Sequence, residues 1–149
     1  MIQADAAVEA IVQEISISAP AEKIFFALTN PQELLKWWAV ENKFRLIAAE
    51  TDLHPGGWWS MRVEGSCETG AKYTVVRGVY QVVEPPSLLI FSWIRDDDEG
   101  NETLVRWELK ETGGVTLVRV THSGFTSESQ RDRNSGWPVI LSLLQGHMA

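Results

Sequence analysis

The polar residue best placed to do chemistry is His122. It ends the series Val118, Val120, His122, in which alternate positions face one way, so its ring is expected on the inward face of a strand. A buried imidazole needs a hydrogen-bond partner. The commoner arrangement is a structural histidine bonded to backbone at the strand-to-helix corner. The functional alternative is a hydrogen bond to a ligand, or a general base near neutral pH. No carboxylate is spaced to orient the ring. His122 is therefore the one catalytic candidate, and binding ranks above catalysis. His54 lies in a turn between Asp52 and Pro55, where a solvated loop residue is expected and a pocket mouth is the alternative. His147, close to the C-terminal end, carries no signal.

Metal and nucleophile chemistry find little support. The single cysteine, Cys67, has no Cys or His at ligand spacing, and no His-x-x-x-His pair occurs. No metal site and no cofactor are expected. Asp96–Asp97–Asp98–Glu99–Gly100 has the look of a calcium loop, but its glycine is at the wrong offset and the terminal glutamate is missing. An acidic hairpin tip in water fits it better. Neither G-x-S-x-G nor a Walker sequence is present. Cys67 falls between Gly65 and Gly70 in an expected loop, with no obvious activating neighbour. Arg62, Arg106 and Arg119 alternate with apolar residues and belong on the solvated convex face of a sheet. Arg77 and Arg95 stay unassigned, because apolar residues occupy both neighbouring phases.

What remains is aromatic. Seven tryptophans occur in 149 residues. Trp59, Trp93, Trp107, Trp137 and one of Trp37 and Trp38 fall in or beside apolar segments. Any one such ring is more often core than ligand contact. As a group they favour a pocket, since large rings that pack incompletely leave grooves, and Trp and Tyr keep a polar handle that can orient a ligand. The candidate binding set is Trp37, Trp38, Trp59, Met61, Tyr80, Phe91, Trp93, Trp107, His122, Phe125, Trp137 and Leu141.

Charge narrows the partners. The net charge is −7 and the 13 basic residues are dispersed, which disfavours nucleic acid and anionic membrane surfaces. The longest nearly uninterrupted apolar run, Leu88–Ile94, is too short to span a bilayer. No basic segment precedes an apolar stretch at the N-terminus, so no secretory signal is expected. A lone cysteine suits a reducing cytoplasm. The expected partner is a small apolar or aromatic molecule, with no nucleic acid and no membrane insertion; a homodimer is left open.

The elements that must position these side chains read as one domain over residues 1–149. A strand is expected over Val8–Ser18, with a phase shift near Gln13–Glu14 that suggests a bulge or twist. Pro20 opens a short helix carrying Ala21, Ile24, Phe25 and Leu28. Asn30 caps a second one, with Pro31 in its first turn and Glu33 completing a capping-box pattern. Strands follow over Phe44–Ala49, about Trp59–Glu64, Tyr73–Val83 with Gly78 inside it, Leu89–Trp93, Val105–Lys110 and Val118–His122. Gly113–Gly114 forms a hairpin turn. Thr126 or Ser127 then caps a terminal helix whose stripe is Trp137, Ile140, Leu141, Leu144 and Met148. Gly136 and Pro138 predict a kink or a fresh helix start near residue 135. The class is α+β. A curved antiparallel sheet of roughly seven strands, with two short helices and a long C-terminal helix, encloses space that side chains or a ligand must fill.

That order resembles the START/Bet-v (SRPBCC) superfamily of helix-grip proteins. Within it, the chain is similar to the family named for the activator of the heat-shock protein 90 ATPase. The matching stretches begin with Ile17–Ser18–Ala19–Pro20–Ala21–Glu22, Ala27–Leu28–Thr29–Asn30–Pro31 and Trp37–Trp38. Pro55–Gly56–Gly57, Gly78–Val79–Tyr80, Val83–Glu84–Pro85–Pro86 and Leu89–Ile90–Phe91–Ser92–Trp93 follow. Thr121–His122–Ser123–Gly124–Phe125 and Gly136–Trp137 complete them. The resemblance implies the helix-grip fold. It also implies non-catalytic binding of a lipid, polyketide or aromatic metabolite between sheet and terminal helix. Its alternatives are a cyclase or hydrolase using His122 and a co-chaperone-like interaction module.

Overall fold

The computed structural model describes residues 8–41, 43–65, 73–98 and 101–149. Cys67 and Gly70, and the Glu99–Gly100 end of the acidic tip, lie outside the described residues. The chain runs β1 (Ile11–Ile17), α1 (Ala21–Thr29), α2 (Pro31–Trp37), β2 (Ala39–Val40), β3 (Phe44–Thr51), β4 (Trp58–Gly65), β5 (Tyr73–Glu84) and β6 (Leu88–Arg95). A 3-10 turn at Asp96–Asp98 leads to β7 (Glu102–Thr112), β8 (Val115–Ser123), α3 (Glu128–Arg133) and α4 (Trp137–Met148).

All strands join one antiparallel sheet in the order β1-β8-β7-β6-β5-β4-β3-β2. It has eight strands where roughly seven are expected from sequence. The addition is β2, whose Ala39 and Val40 pair with Arg45 and Phe44; two residues are too few to display a period. Of the bulge or twist expected in β1, a bulge is not found. Its register against β8 is continuous from Ile11–His122 to Ile17–Thr116. Ile11, Gln13, Ile15 and Ile17 share the inner face and Val12 faces solvent. Register shifts fall instead in β3, between Leu46 and Ala48, and in β5, between Tyr80 and Val82.

Alternation places Leu89, Phe91 and Trp93 of β6, Val105, Trp107 and Leu109 of β7, and Val118, Val120 and His122 of β8 in the core. Arg62, Arg77, Arg106 and Arg119 point outward, and Arg119 pairs with Glu14. Gly78 answers to close packing. A Cβ there would run into the Ser92 carbonyl oxygen and stand 2.8 Å from Trp59 Nε1, so only glycine lets the Trp59 indole lie over β5.

The helices start where local chemistry satisfies their first N–H groups. The Asn30 side chain accepts from Glu33 N at 3.1 Å, and Ser127 Oγ accepts from Gln130 N at 3.0 Å. At α1 the partner is distant: Ala21 N donates to Glu111 Oε1 of β7 at 2.9 Å, which also sets a carboxylate at the positive end of the helix. Near residue 135 the chain makes a fresh start, with α3 and α4 as separate helices. α4 buries Trp137, Ile140, Leu141 and Leu144 and lies against β1, α1 and α2. Gln145 Nε2 donates to Ser16 O at 3.0 Å and clamps the helix over β1.

Candidate functional site

Strand pairing sets His122 of β8 beside Val105 of β7, and α4 lowers Trp137 onto it. The imidazole is 0% exposed. Trp137 Nε1 lies 3.1 Å from His122 Nδ1. An indole N–H can only donate, so Nδ1 accepts and the ring proton sits on Nε2. Nε2–H donates to Thr103 Oγ1 at 2.7 Å, and that hydroxyl donates to the Trp93 carbonyl at 3.1 Å. The partners are side chains, not the backbone groups expected from sequence. Burial first, and then the positive charge of Arg95, push the His122 pKa down to about 3. The ring is thus neutral at pH 7 and its basic lone pair is engaged. Such an imidazole is a poor general base near neutrality.

Six of the seven tryptophans form one contiguous cluster around this point. Trp137 is its hub, with ring centroids 5.4 Å from Trp93, 5.7 Å from Trp107 and 6.5 Å from Trp38. Trp37 and Trp59 extend it through Trp38 and Trp93. Trp58 stands apart, exposed to solvent.

The cluster does not fill the interior. Between the sheet and the α3–α4 junction lies a cavity of about 240 Å³. Trp38, Phe44, Met61, Val63, Thr74, Val76, Trp93, Arg95, Arg133, Asn134, Gly136, Trp137 and Ile140 line it. A second void of about 30 Å³ adjoins it and is bounded by Trp59, Tyr80, Phe91 and Trp107, among others. Trp38, Met61, Trp93 and Trp137 line both. Burial pushes the Tyr80 hydroxyl well above its ordinary pKa, so it stays protonated. Trp59 Nε1 is buried and has no hydrogen-bond partner among the described residues.

The twelve residues singled out from sequence therefore divide. Trp38, Met61, Trp93 and Trp137 line the larger cavity, and Trp59, Tyr80, Phe91 and Trp107 only the smaller void. Trp37, His122, Phe125 and Leu141 line neither. The Trp37 indole donates to Ala27 O at 3.0 Å and ties α2 to α1. Phe125 packs on His122 with centroids 4.7 Å apart, and Leu141 belongs to the buried stripe of α4.

Sequence reasoning missed the polar part of the wall. Arg95 ends β6, and its unassigned phase was the one available signal. Its Nε and Nη2 donate to Asp97 at 2.9 and 2.8 Å, and Nη1 donates to the Arg133 carbonyl at 2.9 Å. Asn134 carries no local signal, yet its Oδ1 accepts from Trp93 Nε1 at 3.0 Å and its Nδ2 donates to Gln130 O at 2.9 Å. His54 is exposed and bonds Asp52 and Pro55 at the surface. His147, without signal in the sequence, lies with Nε2 3.0 Å from Glu33 Oε1 and joins the end of α4 to α2. Among the described residues, no three His, Cys, Asp or Glu side chains cluster to hold a metal. No described helix is long and apolar enough to cross a membrane.

Comparisons with known proteins agree on the fold. The crystal structure of protein CV1439 from Chromobacterium violaceum superposes with a TM-score of 0.80 at 20% identity, covering 93% of this chain and 96% of that one. The solution structure of the AHSA1-like protein from Aeromonas hydrophila gives a TM-score of 0.74 at 24% identity, covering 93% and 91%. A search of curated proteins found no significant match. The curved sheet gripping a C-terminal helix is thus the α+β helix-grip fold. A family model described as Activator of Hsp90 ATPase homolog 1-like protein matches residues 18–149, so the chain belongs to that family, within the START/Bet-v-like superfamily.

Proposed function

We propose that this chain is a single cytoplasmic domain that binds a small, largely apolar molecule, without catalysis, between its sheet and C-terminal helix. The observation that carries the reading is the cavity of about 240 Å³ walled by Trp38, Met61, Trp93 and Trp137. That volume lies just below the ~300–1,000 Å³ of sites for drug-sized ligands. Among lipid, polyketide and aromatic metabolite, the last fits best, and the tryptophan faces offer it stacking partners. The committed lone pair of His122 favours binding over a cyclase or hydrolase reaction.

Tryptophan fluorescence titration against lipids and one- and two-ring aromatics tests this. Saturable quenching is expected, and Ile140→Trp, which fills the cavity from α4, should abolish it while the protein still unfolds cooperatively. Quenching unchanged by Ile140→Trp, or none with any compound, would sink the reading. A co-chaperone-like contact is the second reading. The surface it would use is an open groove beside α1, where Phe26 is exposed next to Leu53, Pro85 and Pro86. NMR shift mapping with the purified chaperone ATPase tests it, and perturbations elsewhere would count against it.

A further inference from the structure

The wall of the larger cavity has a sign. The chain carries a net charge of −7, yet the charged residues that line this cavity, among the described residues, are two arginines, the half-buried Arg95 and the exposed Arg133, and no acidic residue. Arg95 comes from the end of β6 and Arg133 from the last turn of α3. The 2.9 Å hydrogen bond from Arg95 Nη1 to the Arg133 carbonyl makes them neighbours on one side of the cavity. Asp97 holds Arg95 by two bonds from outside the lining, so the guanidinium is oriented before any ligand arrives. The Arg95 side chain is only 22% exposed. Asp97 offsets much of the Arg95 charge, and what remains still reaches the interior and helps keep His122 neutral. Most of the remaining wall is aromatic or aliphatic: Trp38, Phe44, Met61, Val76, Trp137 and Ile140.

We propose that the ligand of this cavity is a compact amphipathic carboxylate, its apolar body among the tryptophans and its anionic head on Arg95 and Arg133. A bond from guanidinium to carboxylate is charge-assisted and discriminates more sharply than a neutral one. The inference rests on the binding function proposed above and adds the charge of the ligand to it.

Matched probes separate the two claims. 2-Naphthoate and 2-naphthamide have nearly the same shape and differ in charge, and naphthalene supplies the apolar body alone. Benzoate and benzamide repeat the comparison with one ring. Affinities are measured for the wild type, Arg133→Gln and Arg95→Gln, at low and high salt. The acids are expected to bind about tenfold or more tighter than their amides. That ratio should shrink in both variants and with added salt, while naphthalene binds all three proteins alike. Binding of naphthalene with the acids no better than the amides would overturn the carboxylate inference and leave the apolar pocket standing. An acid preference that survives both substitutions would also overturn it. Absence of binding by every probe would overturn the pocket itself.

Discussion

Acid should destabilise this protein through His122, beginning between pH 7 and pH 5, above the ordinary carboxylate range. Its pKa falls from 6.5 to about 3 on folding, mainly through burial. Between those values the unfolded chain takes up a proton that the folded chain refuses. The contribution is fully present above pH 6.5 and is lost as pH falls toward the folded value. Each pH unit in that window is worth about 1.4 kcal/mol, so His122 alone removes about 2 kcal/mol between pH 7 and pH 5 and about 4 kcal/mol by pH 3. Domains of this size are stable by roughly 5–15 kcal/mol, so the loss is large. The comparison protein is His122→Gln, whose amide can accept from Trp137 and donate to Thr103 but does not titrate. Urea unfolding at several pH values from 5 to 7 gives stability in water for both. The wild type should lose stability more steeply, with the slopes differing by up to about 1.4 kcal/mol per pH unit. Glu33 and Asp97, held below their ordinary values by His147 and Arg95 respectively, lose their contribution as pH falls from the ordinary carboxylate range through the lowered values, below the window tested. His54 is raised by its bond to the Pro55 carbonyl and by Asp52, so its contribution runs the opposite way, present in acid and lost as pH rises. It is common to both proteins and cancels. Parallel slopes would refute the claim that His122 is held neutral by its surroundings.

Three further outcomes follow from the same contacts. Thr103→Val leaves the His122 Nε2–H buried without an acceptor and should cost about 1–3 kcal/mol in urea unfolding. Gly78→Ala drives a methyl group against the Ser92 carbonyl and Trp59, so a loss of about 1–3 kcal/mol or more is expected, with a shifted tryptophan emission maximum. In His147→Ala, the Glu33 carboxyl loses the hydrogen bond that contributes most to lowering its pKa; NMR titration should find it protonating at higher pH, though still with Lys36 beside it.

The larger elements were legible because their causes are local. In β7 and β8 a buried face every second residue marks both the strands and the inward phase of Trp107, Val120 and His122. Asn30 and Ser127 announce the starts of α2 and α3 because a cap bonds an amide three residues on. β2 was not legible, being two residues held by pairing alone. The apparent phase break in β1 came from Val12, an apolar residue on the outer face.

The candidate site divides along the same line. The longer strands, their inward phase and a family of large aromatic rings on that phase are legible in the sequence, since each depends on neighbours within a few positions. The tertiary structure alone decided which of those rings border open space. Trp37 and Trp38 are adjacent, yet one caps a backbone carbonyl of α1 and the other walls the cavity, a difference set by where α2 docks. It alone joined His122 to Thr103 and Trp137, Arg95 to Arg133, and His147 to Glu33. Those contacts depend on the few ångströms by which α3 and α4 settle over the sheet. Packing of the whole interior fixes that distance, and no short stretch of sequence encodes it.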